Sequence, residues 1–189
     1  MDVLGQFHPQ IVHTPVALLI FSALFAIAGR LFDREWVRKA SVLLLVFGFL
    51  GAFAAVRSGD AAHHVPEDEQ GVSEEEIDEH GQMGERTLYL AGGALVAVIA
   101  ASRLTGQAAA AVGGLALVLQ ILAAMAVGFT GRAGGELVYE YGANVRVGGQ
   151  LVKHPGAGGG LPGGAAADTL GAAFAEHEEH GEHEKHEGH

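Results

Sequence analysis

Four stretches almost free of charge dominate this chain and decide what it can fold into: residues 11–29 (IVHTPVALLIFSALFAIAG), 40–56 (ASVLLLVFGFLGAFAAV), 87–102 (TLYLAGGALVAVIAAS) and 104–131. At ~1.5 Å of rise per residue, each approaches or exceeds the ~30 Å of a bilayer hydrocarbon core, and none carries the polar stripe of a soluble surface helix. They predict an all-α fold, a four-transmembrane-helix bundle with helices over about 10–30, 39–57, 74–103 and 106–131 within a membrane domain spanning residues 1–132. A cleaved leader is the rival reading of the first stretch. Its preceding segment MDVLGQFH holds an acid and no Lys or Arg, and its apolar run is too long for a simple signal core, so a retained helix is expected.

The charges then set an orientation. The connection RLFDREWVRK between the first two stretches holds Arg30, Arg34, Arg38 and Lys39, and Arg103 stands between the last two, whereas the other six basic residues are spread thinly. By the positive-inside rule both short turns face the cytoplasm, and both termini and the loop of residues 57–86 face the periplasm of a cytoplasmic (inner) membrane. Of 22 acids only Asp33 and Glu35 then lie inside, so the formal net charge of −11 is the sum of a weakly basic inner edge and a strongly acidic outer face. Eleven Lys and Arg against twice as many acids make nucleic acid an unexpected partner. With no cysteine, disulfides, thiolate metal sites and thiol nucleophiles are excluded.

Outside the spans, Ser73 followed by three glutamates reads as a capping box with Glu76 at the third helical position, starting the third helix near Glu74, well outside the membrane. Residues 133–153 (including GGELVYEYGANVRV) are expected to form an extramembrane strap or short strand. Residues 154–189 read as a Gly-rich linker and a His/Glu-rich tail without a packed core.

All eleven histidines fall on the outer side of this arrangement. His8 and His13 open the first helix, His63 and His64 follow the second, and His80 lies on the outer extension of the third; in an up-down-up-down bundle these ends converge. His13, at the entry of an apolar span, is a candidate ligand, or an interfacial histidine bonded to a carbonyl or headgroup. His80 precedes a track of small residues, Gly84, Thr87 and Ala91, which suits a porphyrin edge or ordinary helix packing. Two imidazoles from different helices, His13 and His80, are what axial ligation of one haem b needs; imidazoles with carboxylates are equally what zinc, copper or iron would use, with His8, His63, His64 and Asp60 as further donors. His177, His180, His183, His186 and His189 recur every third residue between glutamates, a pattern for a divalent transition metal or for a solvated acidic tail. Gln120, mid-way along the fourth helix, reads as an interhelical hydrogen-bond donor. No nucleophile–base pair, phosphate loop or carboxylate pair is visible, so an enzyme with its own small-molecule substrate is not expected.

The segment HPQIVHTP resembles the opening of a bacterial membrane family known as the domain-of-unknown-function 2231 family, with Thr14 where that family usually has Phe. The resemblance continues through Ser58-Gly59, His80 and GGELVYEYGANV, over most of residues 5–147. It implies a four-helix integral membrane domain, distantly similar to b-type haem four-helix cytochromes, with His8, His13 and His80 at the matching positions. Two-haem transmembrane relays place a histidine pair near each face. This chain has none on the cytoplasmic side, so at most one haem is expected.

Three functions follow as expectations. The first is an accessory or structural subunit of a larger respiratory or photosynthetic membrane complex, its glycines packing against partner subunits within the lipid bilayer. The second is a site for one haem b or metal ion that exchanges electrons with a periplasmic carrier. The third is transition-metal binding at the periplasmic face through the His/Glu-rich tail.

Overall fold

The computed structural model describes Gly5 and residues 7–62, 72–148 and 150–151. The helices are α1 (His8–Ile11), α2 (His13–Leu31), α3 (Glu35–Ala62), α4 (Glu74–Arg103) and α5 (Gly106–Tyr139), followed by a two-stranded antiparallel ladder, β1 (Arg146–Val147) with β2 (Gln150–Leu151). Four helical segments are long and apolar enough to cross a membrane: His8–Leu31, α3, α4 and α5, with mean hydropathies of 2.2, 2.1, 1.2 and 2.3. The chain is a predicted all-α membrane domain of four spans, as its charge-free stretches require. The value for α4 is lowest because its charge-free part, residues 87–102, is short and is preceded directly by Glu85 and Arg86.

Side chains are sorted as lipid demands. Small residues fill the interior, among them Ala23, Ala26, Ala52, Ala91, Ala94 and Ala123, while Phe21, Phe47, Phe53, Val96, Met125 and Phe129 face outward. Close backbone approach, rather than water expulsion, holds such helices together. Helix α2 packs on α3, α3 on α4, α4 on α5, and α2 closes the ring against α5; Leu19, Leu45, Ala91, Ala94, Ala123 and Val127 form its centre. At Gly29 a Cβ would lie 2.6 Å from Arg38 Cγ and 2.9 Å from its backbone nitrogen, so only glycine lets α2 and α3 meet there.

A polar node crosses this apolar interior. Ser22 of α2 and Ser41 of α3 each reach the other's carbonyl, at 3.1 and 2.9 Å, and each hydroxyl lies 3.0 Å from Gln120 Oε1 of α5. All three are at most 3 % exposed. Gln120 does bridge helices, but as an acceptor; its amide nitrogen donates only to Ala116 O of its own helix, at 3.4 Å.

The short connections are fixed by local chemistry. Asp33 takes a left-handed conformation (φ 48°) between α2 and α3, and Arg38 Nη1 donates to both Asp33 Oδ1 and the Gly29 carbonyl, at 2.8 and 3.1 Å. Arg30 likewise donates to the Gly113 carbonyl of α5. At the other end Ser73 caps α4, accepting from the Glu76 N–H at 3.4 Å and donating to the Glu76 carboxylate at 2.7 Å.

The last helix corrects the expectation of a strap from residue 133. Residues 133–139 are helical turns of α5, in spite of two glycines, because an Arg132–Glu136 ion pair one turn apart supports them and Gly134 lies against a neighbouring side chain. Only beyond Tyr139 does the chain turn back, where Ala143 joins Val72, Ile77, Leu137 and Tyr141 in a small second core at the end of α4 and α5.

Candidate functional site

At the bundle end that carries this second core, two imidazoles from different helices face each other. The rings of His8 (α1) and His80 (α4) have centroids 6.3 Å apart and planes at 83°. Pro9 at the first turn starts α1 immediately at His8 and seats it against α3, which α1 packs on. His8 Nδ1 lies 2.8 Å from Ser58 Oγ, and that hydroxyl also lies 2.9 Å from the Ala55 carbonyl. With the hydroxyl proton on the Ala55 carbonyl, His8 Nδ1 is the N–H donor to Ser58; with it turned to the ring, Nδ1 accepts, so the tautomer of His8 and the rotation of Ser58 are coupled. The ring rests on Gly59, where a Cβ would come within 3.2 Å of its Cε1.

His80 is held more tightly. A Cβ on Gly134 of α5 would lie 2.9 Å from His80 Cε1, and the Thr130 carbonyl one turn earlier is the acceptor its ring addresses. His80 Nδ1 is buried and is the one buried side-chain nitrogen or oxygen without a hydrogen-bond partner among the described residues. Buried polar atoms are nearly always paired, so an orphan beside a second imidazole is the most informative atom in the structure. In His8 the Nδ1 nitrogen is directed at the Ser58 hydroxyl, and in His80 the Nδ1 nitrogen is the unpartnered one.

The structure does not bring His13 and His80 together. His13 is exposed, and its Nδ1 donates to the Pro9 carbonyl 2.6 Å away, one turn back. Five positions separate His8 from His13, so they take different faces, and it is His8 that turns into the bundle. Asp60 is exposed on α3 and pairs with Arg57 at 3.9 Å. His63, His64, His177, His180, His183, His186 and His189 lie outside the described residues. No group of three or more His, Cys, Asp or Glu able to hold a metal ion occurs among the described residues.

Ser58, Gly59 and Gly134 lie in motifs that carry the family resemblance, but sequence reasoning gave them no role: the contact of Ser58 and Gly59 with His8 needs α1 seated on α3, and Gly134 meets His80 only through the pairing of α4 with α5.

The small-residue track expected to receive a porphyrin edge is filled by neighbouring helices: Gly84 faces Val56, the Thr87 hydroxyl meets Thr130 at 3.1 Å, and Ala91 is buried in the core. The free nitrogen of His80 is Nδ1, next to the atom that joins the ring to its own helix, so a macrocycle bound there would run into α4. A planar macrocycle does not fit there.

Around the site the surface is acidic, with Glu74, Glu75, Asp78 and Glu79 exposed on the first turns of α4. Tyr141, beyond the spans, closes the end of the helices: its phenol bonds to Glu76, and that bond first, then burial and the charges of Glu76, Glu140 and Glu136, push its pKa up.

Among known proteins, a family described as "Predicted membrane protein (DUF2231)" matches residues 6–147, which contain every described element except β2. No curated protein and no solved structure matches the chain.

Proposed function

The chain belongs to the DUF2231 family of predicted membrane proteins, and on that premise we propose that it is a metal-binding protein of the cytoplasmic membrane, holding one transition-metal ion between His8 and His80 at the periplasmic end of its bundle. The observation that carries this reading is the buried, unpartnered Nδ1 of His80 beside a second imidazole whose own Nδ1 is tied to Ser58. Elemental analysis and an absorption spectrum of the detergent-purified protein test it. About one metal ion per chain, lost on either His8→Ala or His80→Ala and accompanied by no Soret band, is expected. Metal content unchanged in both variants overturns the ion site, and a Soret band that needs both histidines replaces the ion with haem.

A role as accessory subunit of a respiratory or photosynthetic complex is the second reading, and α5 favours it. Gly114 and Gly128 are exposed and stand four turns apart on one side of the helix, and a Cβ at either would meet nothing within 4 Å. Glycine lowers helix stability by ~1 kcal/mol relative to alanine, and an outward glycine suits close approach of another helix. Native purification tests it: co-purifying subunits lost on Gly114→Leu are expected, and a protein that runs alone from its own membrane removes the reading.

A further inference from the structure

The end of the bundle opposite the histidine pair is basic. Both short connections meet there, and with them Arg30, Arg34, Arg38, Lys39 and Arg103 stand against two acids, Asp33 and Glu35. Each acid is already engaged, Asp33 by Arg38 and Glu35 by Lys39, both at 2.8 Å. Arg30, Arg34 and Arg103 are exposed and pair with no carboxylate among the described residues. The chain's other acids belong to the opposite end: the residues before α1 enter the bundle there, residues 63–71 join α3 to α4 there, and the chain beyond Leu151 leaves from there, a bilayer's thickness away.

Arg30 sets the depth of this charge. Its guanidinium crosses from α2 to the Gly113 carbonyl of α5 and reaches the Ala26 carbonyl at 3.4 Å, which leaves N–H donors free for a further acceptor. At Gly113 three helices meet: a Cβ there would lie 3.7 Å from Arg30 Nη2 and 4.0 Å from Ala101 Cβ, and Ala101 stands just before Arg103 on α4. Helix α5 has 34 residues, ~51 Å, and its polar turns 132–139 stand outside the membrane at the other end, so ~10 Å remains outside the ~30 Å hydrocarbon layer at this one. Gly113 lies ~10 Å from the start of α5, so the Arg30 guanidinium sits where lipid headgroups meet the hydrocarbon.

The surroundings select the kind of anion. Leu31, Phe32 and Trp36, beside Arg30 and Arg34 in the chain, are each at least two-thirds exposed, and the exposed Leu104 follows Arg103. A soluble phosphate would leave these side chains bare, whereas an anion carrying acyl chains covers them, and tryptophan favours the headgroup level. We propose that this end of the bundle is a docking surface for an anionic phospholipid of the phosphatidylglycerol type, its phosphate held by Arg30 and drawn in by Arg34 and Arg103, its acyl chains lying against Leu31, Phe32 and Trp36. The forked N–H groups of a guanidinium match two phosphate oxygens, and a basic pocket between membrane helices prefers a lipid whose phosphate has no ammonium to neutralise it. The surface is independent of the histidine end and of any ion held there.

Trp36 is the chain's single tryptophan, so its fluorescence reports on this surface alone. The test reconstitutes the full-length chain into mixed phosphatidylglycerol–phosphatidylcholine vesicles in which one lipid or the other is brominated, and reads quenching of Trp36 as the composition is varied. Phosphatidylglycerol is expected to be preferred on the order of 10-fold at low salt and less at high salt. The preference should fall several-fold in the double variant Arg34→Gln/Arg103→Gln and in Arg30→Gln, and stay unchanged in Arg86→Gln, an exposed arginine on the far side of the third span. Circular dichroism shows that each variant is folded, and Arg34→Lys/Arg103→Lys, which keeps the charges, should recover most of the preference. Equal quenching by the two lipids, or a preference that survives loss of the three arginines, overturns the proposal. Abolition of the preference by inorganic phosphate at low millimolar concentration, with chloride at matched ionic strength without effect, overturns the lipid and assigns the site to a soluble anion.

Discussion

Single atoms decide the chemistry at the histidine end. Gly134 is the sharpest case, since a Cβ there would come within 2.9 Å of His80, whereas at Gly81, one residue beyond His80, it would touch nothing. Gly134→Ala should therefore lose metal in elemental analysis while Gly81→Ala keeps it; equal metal contents would show that the Gly134 contact does not position His80. Ser58→Ala frees His8 to exchange tautomers, and metal affinity by chelator competition should fall ~10–100-fold, as for other residues that orient metal-ligating histidines. Tyr141 carries a pH effect. Its neutral phenol, held by Glu76, supports the small outer core up to the ordinary phenol range, and that support is lost as pH rises through the elevated value. In a spectrophotometric titration Tyr141→Phe should remove the last phenol to ionise; superimposable high-pH limbs would disprove the Glu76 bond. At this scale the sequence was only partly legible. It showed that His8 and His13 cannot share a face, but which of them turns inward depends on how α1 seats on α3, a contact between residues some fifty positions apart.

Elements were far easier to read. The starts and ends of α4 and the start of α5 follow from Ser73, Arg103 and the break at Leu104-Thr105, and all four spans follow from absence of charge. The far end of α5 was hidden, because its two glycines signal a loop locally and are accommodated only by packing on His80 and by the Arg132–Glu136 pair. Pairing between helices gives two stability predictions. Gly29→Ala sets a Cβ against the Arg38 backbone, where nothing can yield, and should cost ~1–3 kcal/mol, seen as a lower unfolding midpoint in detergent. Gln120→Ala should cost less than its burial suggests, ~0.6 kcal/mol for the lost interhelical bonds plus a small cavity, since Ser22 and Ser41 each keep the other's carbonyl as acceptor. A loss of several kcal/mol would mean that the serine hydroxyls depend on Gln120 alone.

For the whole molecule the charge asymmetry becomes a statement about sides. Because the chain has no cysteine, single cysteines at Arg34 and Asp78 can be labelled in intact cells with a membrane-impermeant maleimide; Asp78→Cys should react and Arg34→Cys only after permeabilisation. The reverse pattern would place the His8–His80 end of the bundle in the cytoplasm. The node of Ser22, Ser41 and Gln120 carries a consequence for biogenesis. It ties the first hairpin, α2 with α3, to α5, the fourth of the spans, so each hairpin can enter the membrane alone while the bundle closes only after synthesis of α5. Two polypeptides severed between α3 and α4 and made in the same cell should consequently find each other and co-purify, and Gln120→Leu should weaken that reunion more than it weakens the intact chain.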